Sequence, residues 1–354
     1  MNRMLLLVAL FACTGKVGQI GDDSGAVGGA DGADGGADGT NGGADGTDGA
    51  DGTDGTDGTD GTDGGTDGTD GTDGTDGTDG TDGTDGTDGT DGGAPTDYSA
   101  AGSGSWTSRT TTVRIDSDCE TTVVMVEPAS PRGPLVVLGH GFLRSGSNVV
   151  GWAEHWATWG LTVAVPDLCH SSFTDVDHEA NGEEMAALAE QLSPGGDALF
   201  AGHSAGGLAA VVAGATHARA VGVVGLDPVD AFSVGVGAAG GVSAPFLALV
   251  AEPSFCNSSG NALDLVGAAP DAAALRVTEA DHCDYERPAD ALCSFACPGT
   301  NSRFSDEEIQ SLIAGLSTAA LLDAAGLVTD AGEWLAPGGA FYDPALSGGA
   351  LSVP

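Results

Sequence analysis

Ala198-Leu199-Phe200-Ala201-Gly202-His203-Ser204-Ala205-Gly206-Gly207-Leu208 decides how this chain is read. Residues 197–201 have strand length and are apolar after Asp197, and 208–216 is rich enough in small residues for a tightly packed helix. Only a sharp turn fits between them. Gly202 and Gly206 permit the turn, Gly207 lets the helix lie close to the sheet, and Ser204 is left at the tip with its hydroxyl presented. Ser204 is therefore a candidate nucleophile, the plainer alternative being a helix-capping serine. His203 is expected to pack beneath the turn.

Outward from this turn, strand-like and helix-like segments alternate. Segments 106–115 and 121–126 suit a hairpin at a sheet edge; further strands are expected at 135–138, 161–165, 220–226, 246–250 and, last, 275–278. Helices are expected at 149–159, 183–192, 208–216, 262–266 and 306–325, the final one started by Ser305 with Glu308 three residues on. The fold class is thus α/β, a mostly parallel central sheet with helices on both faces, whose sites lie at the carboxyl ends of the strands. The longest insertion, 169–182, is too short for a large lid domain.

Informative residues do follow strands: Gly139-His140-Gly141-Phe142 after 135–138, Leu226-Asp227-Pro228-Val229-Asp230 after 220–226, Glu252 after 246–250, and Asp281-His282-Cys283 after 275–278. With the Gly-x-Ser-x-Gly turn, these stretches resemble the α/β-hydrolase superfamily over residues 106–325. The resemblance is nearest to its chlorophyllase, platelet-activating-factor acetylhydrolase and polyester-hydrolase (dienelactone-hydrolase-like) branch. Plant chlorophyllases carry Arg where this chain has Ala205. The resemblance implies a serine esterase with triad order Ser, acid, His, so the base follows Ser204 in sequence: His282, after the last strand, is preferred over His217 at a helix end. Asp227 is the preferred acid, with Glu252 and Asp230 as alternatives. The backbone N–H groups of Phe142 and Ala205 would form an oxyanion hole, and Phe142 would also line the acyl site. Trp152, Trp156 and Trp159 recur at helical spacing as a buried face, Trp152 being placed to reach the substrate.

Six cysteines follow Cys13, an even number that suggests three disulfides in an exported chain; the expected pairs are Cys119–Cys169, Cys256–Cys283 and Cys293–Cys297. The acidic group Asp175, Asp177, His178, Glu179 and Glu183 lacks the spacing of a calcium loop and reads as a solvated loop before a capped helix.

Asn2-Arg3 and the apolar run 4–11 read as an export signal, too short for the roughly 20 residues of a membrane span. Leu10-Phe11-Ala12-Cys13 resembles a bacterial lipobox, which implies a signal peptide at 1–12, a lipidated Cys13 and anchorage to a bacterial, outer, membrane at the cell surface or periplasm. The other reading is an ordinary secretory signal with an incidental Cys. Residues 13–97 form a disordered linker: 22–97 alone hold 22 of the 52 acidic residues, no Lys or Arg, and mostly Thr-Asp-Gly triplets. The remaining domain, 98–354, has 30 acidic and 8 basic residues, and the whole chain of 354 carries −42. Nucleic acid and anionic head groups are excluded as partners by that balance. The expected function is a surface serine hydrolase of small-molecule, lipid-like or polymeric carboxylic esters, with no cofactor and no metal. The alternative is a non-catalytic lipoprotein that uses the fold as a binding module.

Overall fold

The computed structural model describes residues 94–299 and 302–354, so the expected signal, Cys13 and nearly all of the expected linker lie outside the described residues. Strands β1 (Trp106–Arg114) and β2 (Glu120–Pro128) pair antiparallel, Trp106 opposite Pro128 and Arg114 opposite Glu120. There follow β3 (Leu135–Gly139), α1 (Val150–Thr158), β4 (Val163–Pro166), a small hairpin of β5 (Ser171–Ser172) and β6 (Asp175–Val176), and α2 (His178–Leu192). The centre comprises β7 (Ala198–His203), α3 (Ala205–Thr216), β8 (Ala220–Leu226), α4 (Val234–Ala239), β9 (Phe246–Val250), α5 (Ala262–Ala268) and β10 (Ala272–Val277). Helices α6 (Ala291–Ala296), α7 (Asp306–Ala324), α8 (Gly332–Leu335) and α9 (Tyr342–Ser347) precede a last strand, β11 (Leu351–Ser352).

The main sheet runs β1-β2-β4-β3-β7-β8-β9-β10-β11. Pairs from β4 through β10 are parallel, while β1, β2 and β11 supply antiparallel edges. β3 and β7 are buried at every position, because helices cover both faces; their sequences are accordingly continuous apolar runs without alternation. On one face Trp152 and Trp156 of α1 and Ile309, Ile313 and Leu316 of α7 pack on Val136, Leu138 and Leu199. On the other, Met185 and Leu188 of α2 and Ala209 and Val211 of α3 pack on Val137 and Phe200. Truncating either buried Trp to Ala costs about 3–5 kcal/mol.

Ser305 starts α7 as expected, its hydroxyl accepting from the Glu308 N–H while the Glu308 carboxylate accepts from the Ser305 N–H. α2 starts earlier than expected, at His178, because the Asp177 carboxylate accepts from the Ala180 N–H and Asn181 is tied to both backbone groups of His170. The expected acidic loop is therefore partly the first turn of that helix. The strand at 275–278 is not the last: β11 returns to pair antiparallel with β10.

Cys119–Cys169 pairs as expected, but the other bridges are Cys256–Cys297 and Cys283–Cys293. The expected Cys256–Cys283 and Cys293–Cys297 pairs fail because α6 separates the last two cysteines along a helical turn, with the Cys297 N–H bonded to the Cys293 carbonyl. Cys293 then faces the His282 loop, and Cys297 faces the loop after β9. Among the described residues no helix is long and apolar enough to cross a membrane.

Residues 94–105 pack against α1 and the segment after α7: the Gly104 N–H bonds to the Thr158 carbonyl, Thr96 and Tyr98 bond to Asp330, and the Trp334 indole N–H donates to the Thr96 carbonyl. The carboxyl edge gathers the loops that carry the site.

Candidate active site

β7 leads directly into α3 through Ser204, whose φ of +57° lies in the left-handed region. For a serine this costs about 1 kcal/mol or more and is held by neighbours. A Cβ at Gly202 would sit 2.1 Å from the Gly206 carbonyl oxygen, and one at Gly206 would sit 2.4 Å from the Gly139 carbonyl, so both glycines are required by close backbone approach. The Ser204 N–H bonds to the Leu226 carbonyl, that of Asp227 to Leu249, and that of Glu252 to Ala280. Each loop is thereby fastened to the end of the next strand.

Those fastenings bring Ser204, His282 and Asp227 together from positions up to 78 residues apart in sequence. The Ser204 hydroxyl stands 3.0 Å from His282 Nε2, and His282 Nδ1 stands 2.6 Å from Asp227 Oδ2. A carboxylate only accepts, so the proton resides on Nδ1 and leaves Nε2 free to take the serine proton. Asp227 is fully buried, and its carboxylate also accepts from the Ala251 N–H at 2.9 Å and from the Asn257 amide at 3.1 Å. Its φ of +43° is a second strained non-glycine position beside the serine. Ser204 and His282 are 9% and 7% exposed, at the floor of the carboxyl edge.

The other acids fall elsewhere. Asp230 accepts from the Gly235 and Val236 N–H groups and so serves the start of α4. Glu252 accepts from the Glu279 N–H and approaches Arg276 at 4.0 Å. His217 caps the far end of α3, against Phe200.

The loop after β3 lies against the serine, since a Cβ at Gly141 would come within 3.3 Å of Ser204 Cβ. Among the described residues, the Phe142 and Ala205 N–H groups make none of the backbone hydrogen bonds that occupy their neighbours, and Ala205 is the first residue of α3. Two such donors beside a nucleophilic oxygen can receive a developing anionic oxygen. His140 shapes this loop: Nδ1 donates to the Gly141 carbonyl and Nε2 accepts from the Leu168 N–H, both at 2.8 Å. Burial pushes the His140 pKa down, in keeping with a neutral ring. His203, under the turn, donates from Nε2 to the His282 carbonyl at 2.9 Å; burial, and then His282 beside it, hold its pKa well below the usual range.

No family model matches this chain, and no curated protein matches it.

Trp152 lies on the buried face that its helical spacing predicts. It is fully buried in α1, with its indole N–H donating to the Tyr285 carbonyl at 2.8 Å, and so supports the His282 loop from the core. Phe142 is half-buried, edge-on to Phe173 at 5.7 Å and to His178 at 6.0 Å.

Two groups carry no signal in the sequence. Asn257 orders the acid, donating to Asp227 and to the Glu252 carbonyl. Arg144, just past Phe142, makes a two-pronged pair with Glu286 at 2.6 Å on both sides and reaches Asp290 at 2.7 Å, joining the loop after β3 to the loop of His282. Burial raises the Glu286 pKa, and Arg144 counters part of that rise. The cysteine groups close enough to hold a metal, Cys283 with Cys293 and Cys297, and Cys119 with Cys169 and Glu184, have their sulfurs in disulfides.

Proposed function

We propose that this chain is a serine hydrolase of carboxylic esters, of the α/β-hydrolase type. The observation that carries the reading is the Ser204–His282–Asp227 relay at 3.0 and 2.6 Å, built on a strained serine between β7 and α3. The strand order β1-β2-β4-β3-β7-β8-β9-β10 supports the same reading, since it places every member of the relay after a parallel strand.

In the proposed reaction Ser204 Oγ adds to the ester carbonyl carbon as its proton passes to His282 Nε2. The carbonyl oxygen becomes an oxyanion held by the N–H groups of Phe142 and Ala205, donors of a kind worth about 3 kcal/mol each. Collapse of the adduct expels the alkoxide, which takes the proton from His282 and leaves an acyl-serine. Water then adds to the acyl carbon, again giving its proton to His282, and the serine departs with that proton as the carboxylic acid is released. Asp227 fixes the imidazole tautomer and stabilises the imidazolium formed in both halves.

Export and lipidation at Cys13 belong to the same proposal, and the three disulfides support an oxidising compartment. The test is hydrolysis of p-nitrophenyl esters of rising chain length, beside Ser204→Ala, with fluorophosphonate labelling of the intact protein. Turnover and labelling should both vanish in the variant. A folded chain that is neither active nor labelled would leave the fold as a binding module.

A further inference from the structure

Large apolar side chains are exposed at nine described positions, of which Leu346 and Val353 flank β11, Val176 is in β6 and Leu263 is in α5. Of the other five, Phe173 lies in the β5–β6 turn after β4, Phe232 follows β8, Phe255 follows β9, and Leu292 and Phe295 sit on α6 after β10; their exposures run from 45% to 67%. All five therefore belong to carboxyl-edge loops, the edge that holds Ser204. Two of the segments touch the site loops: Phe173 packs edge-on against Phe142, and Asp290, the residue that caps α6, pairs with Arg144.

The protein holds these groups out against the tendency of apolar surface to bury. Phe255 adjoins Cys256, and Leu292 adjoins Cys293, so the Cys256–Cys297 and Cys283–Cys293 bridges pin the segments on which Phe255, Leu292 and Phe295 stand. Phe232 and Ser233 are both in the left-handed region, at φ +58° and +61°, so the exposed Phe232 stands on strained backbone. Apolar groups fixed on separate loops at the same end of the sheet mark an interaction surface.

We propose that this rim docks the protein onto a liquid, uncharged, water-insoluble ester phase, the surface of a neutral acylglycerol droplet. The inference rests on the proposed esterase function and names the substrate class of that site. Charge selects the occupant: residues 98–354 carry 30 acidic against 8 basic residues, a balance that repels an anionic bilayer and a second copy of the chain. Pinned side chains on separate loops also require a partner that deforms around them, as a liquid surface does.

The experiment measures partitioning of the full chain, carrying Ser204→Ala and Cys13→Ala, onto sonicated triolein droplets. Binding is expected, and Leu292→Ser and Phe295→Ser should each weaken it about fivefold, equivalent to about 1 kcal/mol. In a chain with Ser204 intact, the same two substitutions should leave hydrolysis of dissolved p-nitrophenyl acetate unchanged, which also shows that the fold persists. The idea is overturned if the double variant partitions as well as its parent, or if phosphatidylglycerol vesicles or solid polycaprolactone capture the protein better than triolein. It is equally overturned if sedimentation shows a dimer that the double variant abolishes. Because partitioning is read without the serine, droplet binding with no ester hydrolysis would sink the esterase reading alone, and hydrolysis without droplet binding would sink the docking surface alone.

Discussion

Arg144→Leu should destabilise the protein by an amount that grows with pH. Glu286 is 1% exposed at its side chain and both its oxygens lie 2.6 Å from the Arg144 guanidinium, whereas the other partner, Asp290, is 44% exposed and can turn to water. Removing the arginine strands a buried carboxylate, a change that costs about 3–5 kcal/mol when the charge must be kept. Glu286 can escape by holding a proton. Burial already raises its pKa, and without Arg144 the pKa rises further, so the folded state binds a proton that the unfolded state releases near pH 4.5. Stability relative to the parent is then lost as pH climbs through that window: about 0.7 kcal/mol at pH 5, from half a pH unit at 1.36 kcal/mol per unit, and about 3–5 kcal/mol at pH 8. Chemical denaturation at the two pH values reads the difference directly. Arg144→Leu with Glu286→Gln should recover most of the loss and flatten its pH dependence, because a neutral amide needs no countercharge. A loss below about 1 kcal/mol at pH 8, a loss equal at both pH values, or no recovery in the double variant would refute the reasoning.

Further predictions follow from the same geometry. Asp227→Asn should lower kcat by about 10⁴-fold with little change in KM, by releasing the wrong imidazole tautomer; activity that survives would move the acid elsewhere. Asn257→Ala, which removes a donor to the buried Asp227 carboxylate, should cost about ten- to a hundredfold in kcat, and a near-normal rate would show that the amide is dispensable. Asp284 is pushed up to about 7 by burial, with the Asp281 charge adding to the rise, so its ionisation opposes folding as pH rises from 4 through 7. Asp284→Asn keeps an acceptor for the Asp281 N–H and should raise Tm at pH 8 while leaving it nearly unchanged at pH 4; the reverse order would contradict this assignment.

Ser204, His282 and Asp227 were legible in the sequence because each follows an apolar strand, and strand ends are where a parallel sheet presents its chemistry. Element boundaries moved where side chains decided them: Asp177 and Asn181 start α2 several residues early, through bonds that no propensity reveals. Helical spacing identified Trp152 and Trp156 as a buried face, but could not say that Trp152 has a hydrogen-bond partner at depth. The cysteine pairing depended on α6, a one-and-a-half-turn helix with no periodic signal. Arg144 and Glu286 lie 142 residues apart, and nothing local to either announces the pair.

The first described residues are fastened to the segment after α7, where Thr96 and Tyr98 are bonded to Asp330 and the Trp334 indole N–H donates to the Thr96 carbonyl, while Ser204 lies at the carboxyl edge. Pro95 is thus tied to the segment that follows α7 and to none of the loops that carry Ser204, Asp227 or His282. A bead, a surface or a fused protein joined upstream would pull on that segment and leave the loops of Ser204, Asp227 and His282 unattached to the support. Attachment through the carboxyl-edge loops would instead shutter each copy with its own support.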